Sequence, residues 1–125
     1  MKIKKTTIND IPYFIKWFSD SENTRFMITK KLTKKQMLKF LNDENRCFYT
    51  IWLDKPIGYC QIRFIKNTKR IGLLIDKKYW GKGYAQQIIK KMKLKYKNLT
   101  AECFNLNKPI QHILNKFDIK FKIIN

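Results

Sequence analysis

The residue types and spacings that bear on chemistry are densest in Asp76-Lys77-Lys78-Tyr79-Trp80-Gly81-Lys82-Gly83-Tyr84-Ala85. Two of the chain's four glycines stand here, one lysine apart, between an apolar run at 71–75 and a helical run at 86–96. A glycine-bearing turn from strand to helix points main-chain N–H groups at one spot and lets a ligand approach the backbone closely. The chemistry on offer is anion binding. Downstream, Glu102 is the only carboxylate between Asp76 and Asp118, and His112 is the only histidine in the chain. Cys47, Cys60 and Cys103 form no CxxC, so neither a zinc site nor a disulfide framework is expected, and no metal is assigned. Buried thiols in a reducing compartment are the expectation.

The elements that must position these residues follow from periodicity. Ile3 to Ile8 reads as a first strand, and Asn9 or Asp10 caps a helix carrying Pro12 in its first turn. Ile11, Phe14, Ile15 and Phe18 share one face of that helix. Residues 19–31 are polar and irregular, a loop or broken helix. Thr33-Lys34-Lys35-Gln36 has the form of a capping box and opens a second helix with Met37, Leu38 and Leu41 inward. Strands are expected at 47–53, 57–65 and 70–75, an antiparallel meander with turns at 54–56 and 67–69. Within the second of these, Gly58 signals a bulge or a close contact.

After the glycine turn, Ala85, Ile88, Ile89, Met92 and Tyr96 share a helix face, with lysines on the solvent side. A strand at 99–103, reached by a helical crossover, should run parallel to the one before the turn. Asn107 can cap a last helix with Pro109 early and Ile110, Ile113, Leu114 and Phe117 inward; a strand at 119–124 closes the chain.

The 125 residues are expected to form one domain, residues 1–125. No apolar run approaches the length of a membrane span, and no apolar segment follows the basic N-terminus, so a cytoplasmic protein without a membrane partner is expected. Lys plus Arg number 28 against 9 Asp plus Glu, a net +19. Arginine occurs only at Arg25, Arg46, Arg63 and Arg70. Codon bias and a polyanion-binding surface both account for such a balance, and contact with nucleic acid or the ribosome stays open without a motif to indicate it. Whatever its origin, the field attracts anions.

The order β-α-α-β-β-β-α-β-α-β, with Trp80-Gly81-Lys82-Gly83-Tyr84-Ala85 between the fourth strand and third helix, resembles the GNAT family of acetyl-CoA-dependent N-acetyltransferases. The family's acyl-CoA motif is Gln/Arg-x-x-Gly-x-Gly/Ala, and the Tyr-Trp-Gly-Lys-Gly-Tyr-Ala form is similar to the ribosomal-protein N-acetyltransferase branch. The likeness spans nearly the whole chain and is strongest over residues 71–96. Neither a Rossmann fingerprint, which needs a third glycine, nor a P-loop, which needs a Gly-Lys-Ser/Thr end, is present.

The resemblance implies an α/β (α+β) fold: one mixed, mostly antiparallel sheet of about six strands with helices on both faces and a splayed parallel β4/β5 pair. It implies acetyl-CoA as co-substrate. Its pyrophosphate would lie on the N–H groups of Gly81, Lys82, Gly83, Tyr84 and Ala85, with the lysine adding charge. Its pantetheine arm would lie along the main chain of Leu73, Leu74 and Ile75 and against Asn107, whose plainer role is a helix cap. Glu102 matches the catalytic glutamate in placement; a surface ion pair is its alternative.

Trp80 replaces the first residue of the motif, and three further positions depart from the family's pattern. Leu114 stands where a general-acid tyrosine is usual, Arg70 where relatives place glutamate, and Asp118 where glycine is usual. The thiolate's proton is then expected from water or the substrate, or from Tyr84 or Tyr59. The family also tends to finish with a two-strand hairpin where this chain offers one strand, so an open acceptor wall or a homodimer partner is expected. The resemblance implies a primary amine as acceptor, read by the first helices and their loop at residues 23–31, with Trp52 and Tyr59 as candidate walls. The charge disfavours polyamines and aminoglycosides and favours a nucleotide-linked amino sugar, a peptide N-terminus or an RNA-associated target. The alternative is a catalytically degenerate CoA- or polyanion-binding module of the same fold.

Overall fold

Six strands form one sheet in the order β1 to β6, from Lys2–Lys5, Arg46–Trp52, Pro56–Ile65, Thr68–Ile75, Leu99–Phe104 and Lys120–Ile124. This computed structural model describes residues 1–27 and 30–124; Ile28 and Thr29, in the expected acceptor loop, and the terminal Asn125 lie outside the described residues. Strands β1 to β4 are antiparallel, whereas β4/β5 and β5/β6 are parallel, each parallel step made by a helical crossover. The fold class expected from the sequence is the one observed.

Helices α1 (Ile11–Phe18) and α2 (Lys34–Leu41) cover one face of the sheet, and α3 (Tyr84–Lys95) and α4 (Lys108–Lys116) cover the other. Strand alternation sorts the side chains between two cores. Phe48, Tyr59 and Leu74 point toward Phe14, Trp17, Phe18 and Met37. Ile51, Ile62, Ile71, Ile75, Leu99 and Ala101 point toward Ile88, Ile89, Met92 and Leu114.

Two local devices set where helices begin. Thr33 and Gln36 form the reciprocal capping box, with Gln36 N–H donating to Thr33 Oγ1 at 3.1 Å and Thr33 N–H to Gln36 Oε1 at 2.9 Å. The first strand ends earlier than its apolar pattern suggests, at Lys5, because Asp10 draws the chain back. Buried Asp10 accepts the Thr7 N–H at 3.0 Å and the Thr50 hydroxyl at 3.0 Å, and Thr6 in turn bonds Thr50 at 2.8 Å. A 3-10 turn at Ile8–Asp10 results and runs into α1.

Gly58 is explained by contact. Pairing shifts between Ile51 and Trp52, leaving an extra residue on β3, and a Cβ at Gly58 would come within 2.2 Å of the Leu74 carbonyl oxygen. At the end of α4, Asp118 takes φ +55 and Ile119 N–H bonds the Leu114 carbonyl at 2.9 Å. Aspartate tolerates the left-handed region better than most residues, so it can stand in for glycine at this helix end.

Candidate donor and acceptor site

Pairing between β4 and β5 covers Lys69↔Leu99, Arg70↔Thr100 and Ile71↔Ala101, then stops, although β4 continues to Ile75 and β5 to Phe104. The strands diverge there. Asp76 N–H donates to Ile57 O at 2.8 Å, which sets the alternation along β4. Main-chain groups of Asp76, Leu74 and Gly72 face β3, and those of Ile75, Leu73 and Ile71 face β5. Leu73 and Ile75 therefore present unpaired main chain to the gap, whereas Leu74 is committed to β3. One of these groups is already occupied: the Trp80 indole N–H donates to the Ile75 carbonyl at 2.7 Å, leaving Ile75 its N–H.

The glycine turn continues from this edge. Gly81 and Gly83 have φ of +74 and +84, and a Cβ at either would meet nothing within 4 Å. Their requirement is conformational, since a left-handed backbone is costly for residues with a side chain. Gly83 is the N-cap of α3 and has no side chain to satisfy the first-turn donors. The N–H groups of Tyr84, Ala85 and Gln86 are thus open to an external acceptor, and Lys82 is exposed beside them.

Across the gap, Glu102 lies on the sheet face shared with α1 and α2 and accepts from the Arg70 guanidinium at 2.8 Å. Its side chain is 19% exposed and that of Arg70 36%, so the pair bridges β4 and β5 just before they part. The two residues singled out separately in the sequence, a candidate base and a departure from the family pattern, are one ion pair. Asn107 caps α4, its Oδ1 accepting from Ile110 N–H at 3.4 Å, at the far end of the β5–α4 connection.

Other nominees separate. Tyr59 is buried and stacked 4.8 Å from Phe14, where burial pushes its hydroxyl well above the ordinary tyrosine range; it is core, neither wall nor acid. Trp52 sits under Lys4 on β2, two strands from β4. Leu114 is core, His112 lies on the exposed side of α4, and Cys103 is a buried thiol raised by desolvation. Tyr84 remains at the mouth of the turn, edge-on to Tyr79.

A clamp that the sequence did not announce joins the loop after α1 to the segment after β4. Asn23, 8% exposed, donates through Nδ2 to Trp17 O at 3.3 Å and accepts the Lys77 N–H at 2.8 Å. The Lys77 ammonium contacts Asp20 at 3.0 Å and Glu22 at 3.5 Å. Asp20 is held below the ordinary aspartate range, first by the Lys77 hydrogen bond and then by the Glu22 N–H, and Lys77 is correspondingly raised. The signal was a polar residue in a loop, which is common enough to carry no message by itself.

A family model for the acetyltransferase (GNAT) domain matches residues 1–120. The chain belongs to the GNAT acetyltransferase family. Among solved structures this acetyltransferase is similar to an N-acetyltransferase from Staphylococcus aureus Mu50, with TM-score 0.77, 14% identity and coverage of 94% of this chain and 81% of that one. It is also similar to a spermidine N-acetyltransferase from Vibrio cholerae, at 0.73 and 11%, covering 93% and 78%. A third is an aminoglycoside acetyltransferase from an uncultured soil metagenomic sample, in complex with sisomicin, at 0.73 and 13%, covering 99% and 92%. At such identities the likeness is one of fold. No curated protein matches the chain in sequence. Among the described residues no helix is long and apolar enough to cross a membrane.

Proposed function

We propose that this acetyltransferase carries acetyl from acetyl-CoA to a primary amine by direct attack, with both substrates bound together. The observation that supports it most is the line of main-chain groups left without a partner: Leu73 and the Ile75 N–H along the gap, then the free N–H groups of the glycine turn. Such a line suits a long amide-bearing arm ending in a diphosphate, because every group along it is a donor or acceptor at backbone spacing. When bound, acetyl-CoA supplies the thioester that acylates the amine.

The chain's residues divide the remaining work. Gly81 through Ala85 and Lys82 neutralise phosphate charge; Leu73 and Ile75 hold and orient the arm; Asn107, beyond its cap, has an amide NH₂ to offer. Glu102 keeps one oxygen on Arg70 and offers the other to the amine or to a bridging water, taking the proton released as the N–C bond forms. The C–S bond breaks, and the departing thiolate takes its proton from Tyr84 or water.

Titration calorimetry with acetyl-CoA at low and high salt tests the donor, and a thiol-release assay over an amine panel tests transfer. Saturable binding that survives added salt, with thiol release on at least one amine, is the expected result. Absence of acetyl-CoA binding at every salt concentration overturns the reading. Binding with no turnover on any amine favours the degenerate CoA-binding module instead. The acceptors of the spermidine and aminoglycoside enzymes are cations, whereas the net charge of +19 here slows the approach of any polycation.

A further inference from the structure

Three of the chain's four arginines fall in a single cross-strand row: Arg46 pairs with Arg63 across β2/β3, and Arg63 with Arg70 across β3/β4. In a chain this rich in lysine, charge alone is no reason for guanidinium at these three places. Guanidinium differs from ammonium in its planar fork of donors, which matches carboxylate and phosphate oxygens. Like charges directly opposite one another in a sheet are also unfavourable unless something offsets them.

Carboxylates bond only the ends of the row, although the Asp43 carboxylate also feels the charge of Arg63. Arg46 bonds Asp43 at 3.0 Å and lies over the Phe40 ring, and Arg70 bonds Glu102 at 2.8 Å. Arg63, between them, is exposed and makes no ion pair among the described residues. On the same sheet face, Lys120 and Lys122 of β6 stand opposite Thr100 and Glu102, both lysines exposed. Glu102 is thus a lone carboxylate among cations, at the end of the row nearest the gap.

We infer that Arg63 and Arg70 form an acceptor-side anion site, and that the acceptor is an amine carrying a phosphate or carboxylate group at some distance from its nitrogen. The inference rests on the N-acetyltransferase reading for where the amine sits. The geometry supplies the distance. Glu102 holds the amine on the far side of a carboxylate bonded to Arg70 at 2.8 Å, and Arg63 stands one strand further along the row, so an anion on Arg63 lies on the order of 10 Å from the amine. An amine and a phosphate at opposite ends of a hexose come near that separation, and the amine and carboxylate of a single α-amino acid do not. Arg63 and Arg70 then determine specificity, and Glu102 faces the amine.

The test compares matched probes that differ only in the anion: glucosamine 6-phosphate against glucosamine, and glycyl-aspartate α-amide against glycyl-asparagine α-amide. Binding is measured by calorimetry and turnover by thiol release, on the wild-type chain, Arg63→Gln and Arg63→Lys. The expected result is a preference for the anionic member of at least one pair, reduced about tenfold or more in Arg63→Gln, the range for a lost charge-assisted bond, and partly restored in Arg63→Lys. The pair that shows it identifies the source as phosphate or carboxylate.

Equal binding of both members of each pair overturns the inference, even if the amines are acetylated. So does an Arg63→Gln variant with unchanged preference. Tighter competition by a short single-stranded RNA than by either anionic probe assigns the row to a polyanion and overturns it too. Anion-dependent binding without any acetyl transfer upholds the anion site and sinks the transferase reading, so the two failures are distinguishable.

Discussion

Two sides of the β4–β5 gap are built from different materials. On the side proposed for the donor the groups that face outward are main-chain N–H and C=O, at Leu73, Ile75 and the turn that ends in α3. On the side proposed for the acceptor they are side chains, the Arg70–Glu102 pair and the arginines beside it. A backbone site needs a particular path of the chain, so it constrains which residues are permitted: glycine at two positions and a strand before them. A side-chain site needs only that charges arrive at the same place, and many sequences do that. The donor side therefore leaves a motif and the acceptor side leaves almost none. The Asn23–Lys77 clamp holds the loop after α1 to the segment that leads into the glycine turn.

The largest effect is expected from the acceptor side. Glu102→Gln should lower kcat by about 10²-fold or more, the lower end for removing a general base, with acetyl-CoA affinity unchanged. Wild-type turnover of that variant across the pH range would remove Glu102 from proton transfer and leave it only an ion-pair partner. Gly58→Ala probes the backbone from behind. Its Cβ would lie 2.2 Å from Leu74 O and 2.9 Å from Ile75 Cα, so β4 must shift. A loss of about 3 kcal/mol in urea unfolding is expected, the upper end for overpacking. Retention of full stability would mean that the gap-facing edge of β4 is not held from β3.

Asn23→Leu keeps the volume and removes the clamp. It should cost about 2 kcal/mol, because the Lys77 N–H loses its acceptor, and should speed amide exchange in residues 20–24 and 77–79 together. Faster exchange in only one of the two segments would show that they are not coupled. Gly83→Ala should be smallest, about 1–2 kcal/mol from the left-handed backbone, read as weaker acetyl-CoA binding with the acceptor KM unmoved. Gly72→Ala is its control. That position has ordinary φ, and its Cβ would meet only Gln61 Cβ at 3.9 Å, so binding of acetyl-CoA should stay at the wild-type value.

Elements were legible where a local rule dictates them. Thr33 and Gln36 announce their helix because both partners of the box are three residues apart. Gly58 announced a close contact because a missing side chain in a strand usually marks one. The end of β1 is not legible for the opposite reason: Asp10 draws the chain back by bonding Thr50, forty residues away, and no local pattern encodes that. Tyr59 looked available as a wall or an acid, since tyrosine is at home in both places. Only the packing of Phe14 against its ring makes it core. Asp118 read as a departure until its φ of +55 showed it filling the same conformational need as glycine.

The sequence by itself determined the turn at Gly81 and Gly83, the strand and helix on either side of it, and the parallel β4/β5 pair, because these follow from steric limits on φ and from the crossover between two strands. Tertiary structure alone decided that β4 and β5 stop pairing after Ile71, that Leu73 and Ile75 rather than Leu74 face the gap, and that Arg46, Arg63 and Arg70 share a row. Register is the reason: which side of a strand a group faces depends on the hydrogen bonds of its neighbours, and residues far apart in the chain become one site only through that pairing.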